Sequence, residues 1–220
     1  MPTPALKKDY ESLIKTGYLL DNPIELQRLC LKTYRLLLQG EPLSLRRLAE
    51  GAGVSQKTAL ELFTFLPKSA LEYDREGNLS ALIGFSLTPA GHRFVVGEKT
   101  FYTWCALAAL FLPEILAVTA AVLSRCPETG EEIRVTVGPD KIHDHAPGSV
   151  IVSIPAPASD DYTEDMRGAF CCHSNFFRDR TAFEAWAGTR AGVSGLSLAE
   201  AHRLAGKRNR WRFPDIEFQE

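Results

Sequence analysis

The chain of 220 residues has no long apolar run, no excess of either charge and no paired cysteine motif. Its longest uncharged apolar stretch, residues 101–112, is followed by Pro113 and Glu114. A membrane-spanning helix needs ~20 such residues, so this one reads as a buried helix. Lys and Arg number 25 against 27 Asp and Glu, a formal net charge of −2. That balance gives no general attraction to nucleic acid or acidic membranes. The opening residues MPTPALKKDYESLIK lack the apolar core of a secretory signal. Cysteine is scarce and odd in number: Cys30, Cys105, Cys126, Cys171 and Cys172, with no repeated spacing. A secreted disulfide framework uses an even count in a shorter chain, so reduced thiols in a reducing, cytoplasmic compartment are expected. Cys126-Pro-Glu-Thr-Gly130 is half of a zinc ribbon without its partner C-x2-C, and a structural zinc site needs four ligands.

What is present is ordinary globular material, with 45% hydrophobic residues and length enough for one large domain or two small ones. Ile24, Leu26, Leu29, Cys30, Tyr34, Leu37 and Leu38 recur at near-helical spacing over residues 23–38. Residues 44–55 read as a short helix stopped by Gly51 and Gly53, with Ser55 as N-cap of another over 56–66. Strands at 71–73 and 81–85, joined through Asp74 to Asn78, suggest a hairpin wing. Together these describe a winged helix-turn-helix. The character changes near residues 88–91. A hairpin over 92–101 turning at Gly97-Glu98 is expected next, then an apolar helix over 101–116 broken near Pro113. Strands follow at 119–124, 133–137 and 149–154, then a loop at 155–161, a strand at 168–177 and helices at 181–188 and 197–211. The expected fold class is α+β. A winged-helix-like module, residues 1–90, packs on a mixed α/β domain, residues 91–220, with a mainly antiparallel sheet.

A DNA reader places Arg, Lys, Asn or Gln on its recognition helix. Here that helix offers Gln56 and Lys57, then Ala59, Leu60, Glu61, Leu62, Phe63, Phe65 and Leu66. Such an apolar surface has to be buried, and Glu61 repels phosphate. Arg46 and Arg47 keep a DNA-binding reading open beside the packing one. Cys105 lies on the apolar helix and, taken alone, reads more readily as core than as ligand, while Cys30 and Cys126 read as structural. Adjacent Cys171 and Cys172 point to opposite faces if their segment is a strand. Only one of them then shares a site with Cys105. Two thiolates in an apolar cleft suit a soft, thiophilic metal. His173 offers a weaker Cys–His alternative. Arg203, Lys207, Arg208, Arg210 and Arg212 around Trp211 read as a solvated helix face.

Several quoted segments together resemble the organomercurial (alkylmercury) lyases. They are Thr88-Pro-Ala-Gly-His92, Tyr102-x-Trp-Cys-Ala-Leu107, the lone Cys126 before a Thr-Gly turn, Phe170-Cys-Cys-His173 with Phe176-Phe177, and Asn209-Arg210. The resemblance covers most of the chain and is clearest from about residue 88 to 210. It implies carbon–mercury bond cleavage, with Cys105 as attacking thiolate and Cys171 as second ligand. No resident cofactor is implied, and Hg(II) is the bound product, passed to low-molecular-weight thiols or a mercuric reductase. DNA and membranes are not implied partners. The family carries an aspartate three residues after its first cysteine, a spacing that shares one helical face. Here that position is Ala108, which can neither donate nor accept a proton. Glu114, beyond Pro113 and on the opposite face, is a poor substitute, leaving a cysteine thiol or water as proton source. The departure also leaves open a non-catalytic metal binder or sensor, or other carbon–heteroatom chemistry on the same scaffold.

Overall fold

The computed structural model describes residues 23–155, 165–188, 190 and 192–218. The N-terminal segment and nearly all of the loop expected at 155–161 lie outside the described residues. Helix α1 (Ile24–Leu37) buries Leu26, Leu29, Cys30, Tyr34 and Leu37. Helix α2 (Leu45–Ala52) is capped by the Ser44 side chain and ends at Gly53 in the left-handed region, φ 71°. Gly51 lies inside it. Helix α3 (Gln56–Phe63) is capped by Ser55, as its sequence indicates.

The apolar surface of α3 is only partly covered. Ala59, Phe63 and Leu66 are buried, whereas Leu60 and Phe65 are 52% and 60% exposed. The expectation that the whole apolar face be buried is therefore corrected.

The wing consists of β1 (Leu71–Tyr73) and β2 (Leu79–Leu82), closed where Asp74 Oδ1 accepts the N–H groups of Glu76 and Asn78. The single strand expected at 81–85 does not form. Ile83 and Gly84 take positive φ, 33° and 90°, and make a tight turn into β3 (Phe85–Ser86). Both central residues at positive φ match the twist of adjoining antiparallel strands.

Strands β4 (His92–Val96) and β5 (Lys99–Thr103) form the expected hairpin around Gly97. The helix expected from residue 101 starts later, because β5 runs to Thr103 and helix α4 spans Ala106–Leu116. Phe101, Tyr102 and Thr103 are residues that favour strands, and the apolar run conceals the switch. Pro113 does not break α4. Every α4 residue except Glu114 is buried, and tertiary packing outweighs the one hydrogen bond that proline removes.

Strands β6 (Ala120–Arg125) and β7 (Glu132–Val137) follow, then β8 (Ile142–Ala146), for which the sequence pattern gave no sign. Eight strands in the order β1-β2-β3-β5-β4-β6-β7-β8 make one sheet, antiparallel at every pair. Strand β9 (Ile151–Pro155) is central in a second sheet, between β10 (Phe176–Phe177) and β11 (Val193–Ser197). The fold is α+β with antiparallel sheets and an N-terminal helical module packed on a β-rich remainder.

The expected strand over 168–177 is corrected. The segment is a short helix, α5 (Met166–Ala169), then a 3-10 turn (Cys171–His173), and only Phe176–Phe177 pair as strand. Helix α6 (Arg180–Ala187) starts at the Asp179 cap, and α7 (Leu198–Arg212) at a Ser197–Glu200 capping box. The basic run on α7 is not uniformly solvated. Arg203 and Arg210 are exposed, but Arg208 and Arg212 are 3% and 1% exposed, inside the interface with α1 and α4. Arg208 lies 3.6 Å from the Phe111 ring centroid, and Arg212 Nη2 is 4.0 Å from Cys30 Sγ. Aromatic contact and polarisable sulfur accommodate these charges where bulk water is absent. No helix among the described residues is long and apolar enough to cross a membrane.

Candidate active site

The start of α4 has no conventional polar cap. The first N–H groups of any helix lack intrahelical partners, and here each finds one at a single spot. Ala106 N–H donates to Ser174 O at 2.9 Å and Leu107 N–H to Ser174 Oγ at 3.3 Å. Ala108 N–H donates to Cys105 Sγ at 3.4 Å. Cys105 is thus the N-cap, with extended backbone (φ −151°, ψ 166°), and not a residue on the helix face. It is buried, at 3% exposure.

Cys171 reaches the same spot from the 3-10 turn, whose N–H groups bind back to Phe170 O and Cys171 O. Three residues per turn separate successive side chains by about 120°. Cys171 accordingly points inward and is buried, while Cys172 is exposed. The divergence expected of the vicinal pair occurs, through a helical turn and not through strand alternation.

The two buried thiols lie close enough that each acts on the other's pKa. Their protons are held with unequal strength. The Cys171 side chain, against the opposing effect of burial, pulls the Cys105 pKa down. Ala108 N–H, the Ser174 hydroxyl and the Arg208 charge act in the same direction. A helix N-terminus favours the anion as well. Cys171 is pushed well above the ordinary thiol value by the Cys105 side chain, by burial and by the negative charge of Cys105 and Cys172, with Arg167 offsetting part. The arrangement sets one sulfur whose proton is loosened beside one whose proton is held more tightly.

Ser174, itself fully buried, is held from behind by His92. His92 Nδ1 pairs with Ser124 Oγ at 2.7 Å, and its ring meets the Ser174 backbone. Burial lowers the His92 pKa to about 4, so the ring is neutral. His92 enters the sequence reading only as the end of the segment at residues 88–92 and Ser174 has no role there, because their partners lie 32 to 67 positions away. The one local hint was a serine directly after Cys-Cys-His.

Ala108 is 1% exposed and packs against the Ile83-Gly84 turn; a Cβ built on Gly84 would come within 2.7 Å of its methyl group. Glu114 does not approach the sulfurs. Its carboxylate accepts from Asn209 Nδ2 at 2.7 Å, which also donates to Phe111 O at 2.9 Å. His173 is half-buried, and its carbonyl accepts from Ser153 Oγ at 2.7 Å.

Cys30 lies in the α1 core, its pKa raised by burial. Cys126 is buried at the start of a turn, far in sequence from the pair. Burial raises its pKa, but the Thr129 hydroxyl and the N–H groups of Arg178, Thr129 and Glu128 outweigh that and lower it. Among the described residues no group of three or more His, Cys, Asp or Glu side chains could hold a metal ion. A two-coordinate soft metal is what Cys105 and Cys171 can accept.

The sequence model of the alkylmercury lyase family matches residues 85–208, the stretch that contains both sulfurs and the residues fixing them. The alkylmercury lyase of Pseudomonas putida is 34% identical over 206 residues, covering 90% of this chain and 92% of that protein. Those of Staphylococcus epidermidis and Streptomyces lividans are 31% and 33% identical over 170 residues, 77% of this chain and 76% of each relative. A crystal structure described as the mercury-bound form of MerB2 shares the fold, with a TM-score of 0.74 at 22% identity, over 96% of this chain and 100% of that one. With identity sustained over nine-tenths of its length, and with the family's sequence model spanning the paired sulfurs, the chain belongs to the alkylmercury lyase family.

Proposed function

We propose that the protein cleaves carbon–mercury bonds with Cys105 as nucleophile and Cys171 as second ligand and proton donor. The observation that carries this reading is two buried thiols brought together at the N-terminus of α4, with pKa values pushed in opposite directions. Thiolate Cys105 attacks mercury in R–Hg–X and displaces X⁻. As the Cys171 sulfur joins the metal, its proton passes to the departing carbon. The balance is Cys105-S⁻ + Cys171-SH + R–Hg–X → Cys105-S–Hg–S-Cys171 + R–H + X⁻. No electron is gained or lost overall, so no redox cofactor is needed. Hg(II) then leaves by exchange with low-molecular-weight thiols or to a mercuric reductase, in a reducing cytoplasmic setting.

Ala108 removes the carboxylate that the family resemblance places beside the first sulfur. A positioned acid or base contributes typically ~10²–10⁴-fold, so slow turnover follows if Cys171 alone supplies the proton. The N-terminal module serves here as a scaffold for the site and not as a DNA reader. The test is to incubate the protein with phenylmercury and excess thiol and quantify benzene. Benzene formed in proportion to protein supports the reading. Stoichiometric phenylmercury retained intact on the cysteines counts against it.

The close packing of Ala108 on Gly84 favours a second reading, in which the site takes up thiophilic metal without cleaving a bond. Retention of Hg(II) without hydrocarbon release is its signature.

A further inference from the structure

Beside the two sulfurs lie hydrogen-bond donors that the proposed reaction does not use. Trp104, directly before Cys105, is 4% exposed, and its indole N–H has no hydrogen-bond partner among the described residues. A buried donor without an acceptor is costly and calls for an explanation such as a missing ligand. The Arg167 guanidinium lies 5.4 Å from the centroid of the same ring. Arg167 is four residues before Cys171, near enough for its charge to act on that thiol. Its Nη1 is ion-paired with Glu72, on wing strand β1. That pair is part-exposed, with side chains 43% and 27% accessible, so water weakens it. A guanidinium has five N–H donors in a rigid fork, and one carboxylate does not exhaust them.

Mercury in a thiol-rich compartment arrives as R–Hg–SR′. The first step is exchange: Cys105-S⁻ + R–Hg–SR′ → Cys105-S–Hg–R + R′S⁻. Both substituents on the metal are carried to Cys105 as this happens. A guanidinium fork 5.4 Å from an indole centroid can bind a carboxylate through two parallel bonds.

We propose that Arg167 and Trp104 form a docking site for a carboxylate carried by the mercury compound, borne either by the escorting thiol or by the organic group. This rests on the reading of Cys105 and Cys171 as mercury ligands. Glu72 holds the fork over the indole and competes with the incoming carboxylate, which restrains the preference.

The test measures capture, before any bond to carbon breaks. Full-length protein is mixed with phenylmercury escorted by 3-mercaptopropionate or by 2-mercaptoethanol. A second arm compares 4-carboxyphenylmercury with phenylmercury, both escorted by 2-mercaptoethanol. Mercurated chain is quantified by mass after a rapid acid quench. In each arm the ratio of carboxylate to neutral rate is compared between the parent and Arg167→Gln, so intrinsic differences between reagents cancel. The expected ratio is about fivefold higher in the parent in at least one arm, the scale of a part-exposed charge pair. The arm that shows it identifies where the carboxylate sits. Glu72→Gln should raise the ratio further. Arg167→Lys, which keeps the charge but not the fork, should retain part of it and serves if Arg167→Gln does not fold. Equal ratios for the parent and the Arg167 variant in both arms overturn the proposal. A parent that captures mercury with this preference yet releases no hydrocarbon sinks only the lyase reading, whereas a parent that captures none sinks both.

Discussion

The backbone N–H of Ala108 points at Cys105 Sγ from 3.4 Å, so residue 108 serves the sulfur through its main chain. A side chain can be added there without losing that bond. Ala108→Asp should raise single-turnover hydrocarbon release by at least about tenfold, a loss of ~1.4 kcal/mol from the barrier. The carboxylate must grow beside Gly84 and be buried, costing roughly 1–3 kcal/mol of stability. Urea unfolding should therefore accompany the rate measurement. If a folded variant binds Hg(II) through both cysteines and releases no more hydrocarbon than the parent, a missing acid is not what limits the protein.

The opposed directions of Cys171 and Cys172 predict unequal roles. Cys105→Ser and Cys171→Ser should each lose most Hg(II) retention against competing thiol, while Cys172→Ser retains it. Equal loss from Cys171→Ser and Cys172→Ser in folded proteins would place the wrong sulfur in the site.

His92 gives a pH dependence whose sign can be worked out. Its pKa falls from 6.5 in the unfolded chain to about 4 in the fold. Between those values the unfolded chain takes up a proton that the fold refuses, so stability declines as pH drops from 6.5 to 4. The full effect is on the order of 3 kcal/mol, at ~1.4 kcal/mol per pKa unit. Urea midpoints measured across that window should fall for the parent and fall less steeply for His92→Gln. Identical slopes would remove His92 as their source.

Helix α3 shows solvent Gln56, Lys57, Leu60 and Glu61, with Lys57 and Glu61 3.7 Å apart. That exposed pairing sets a carboxylate beside the one lysine of the helix. No salt-dependent mobility shift is expected with DNA from upstream of its own gene, with or without Hg(II). A specific shift that survives competitor DNA would favour a sensor.

Sequence periodicity located α1, α2, α3 and α7, whose caps and apolar spacing are local signals. Strands β6, β7 and β9 were also legible, within two residues at each end. The two sulfurs were singled out mainly by family resemblance, since a cysteine in an apolar run reads more readily as core. Their setting was not legible. The switch from β5 to the Cys105 cap is hidden by continuous apolar residues, and the turn at Cys171 lies between aromatics that favour strand. Arg167, Ser174, Arg208 and Arg212 acquire their roles from distant partners: Glu72, Leu107, Phe111 and Cys30. No local pattern records such contacts.

The narrow join between β3 and β5 bears on how this protein can be recombined with its relatives. Only Phe85 with Thr103 and Ser86 with Tyr102 are paired across it, and Trp104 N–H then binds Gly84 O just before the Cys105 cap. The wing's exit turn and the sulfur's entry strand are therefore one inherited unit, although some 20 residues separate them in sequence. A chimera with its crossover between the turn and β5 mates strands that did not evolve together, and any slip of register displaces the nucleophile itself. A crossover ahead of α3 keeps this unit whole, so the exchangeable part of the chain is shorter than the change of character near residue 90 suggests.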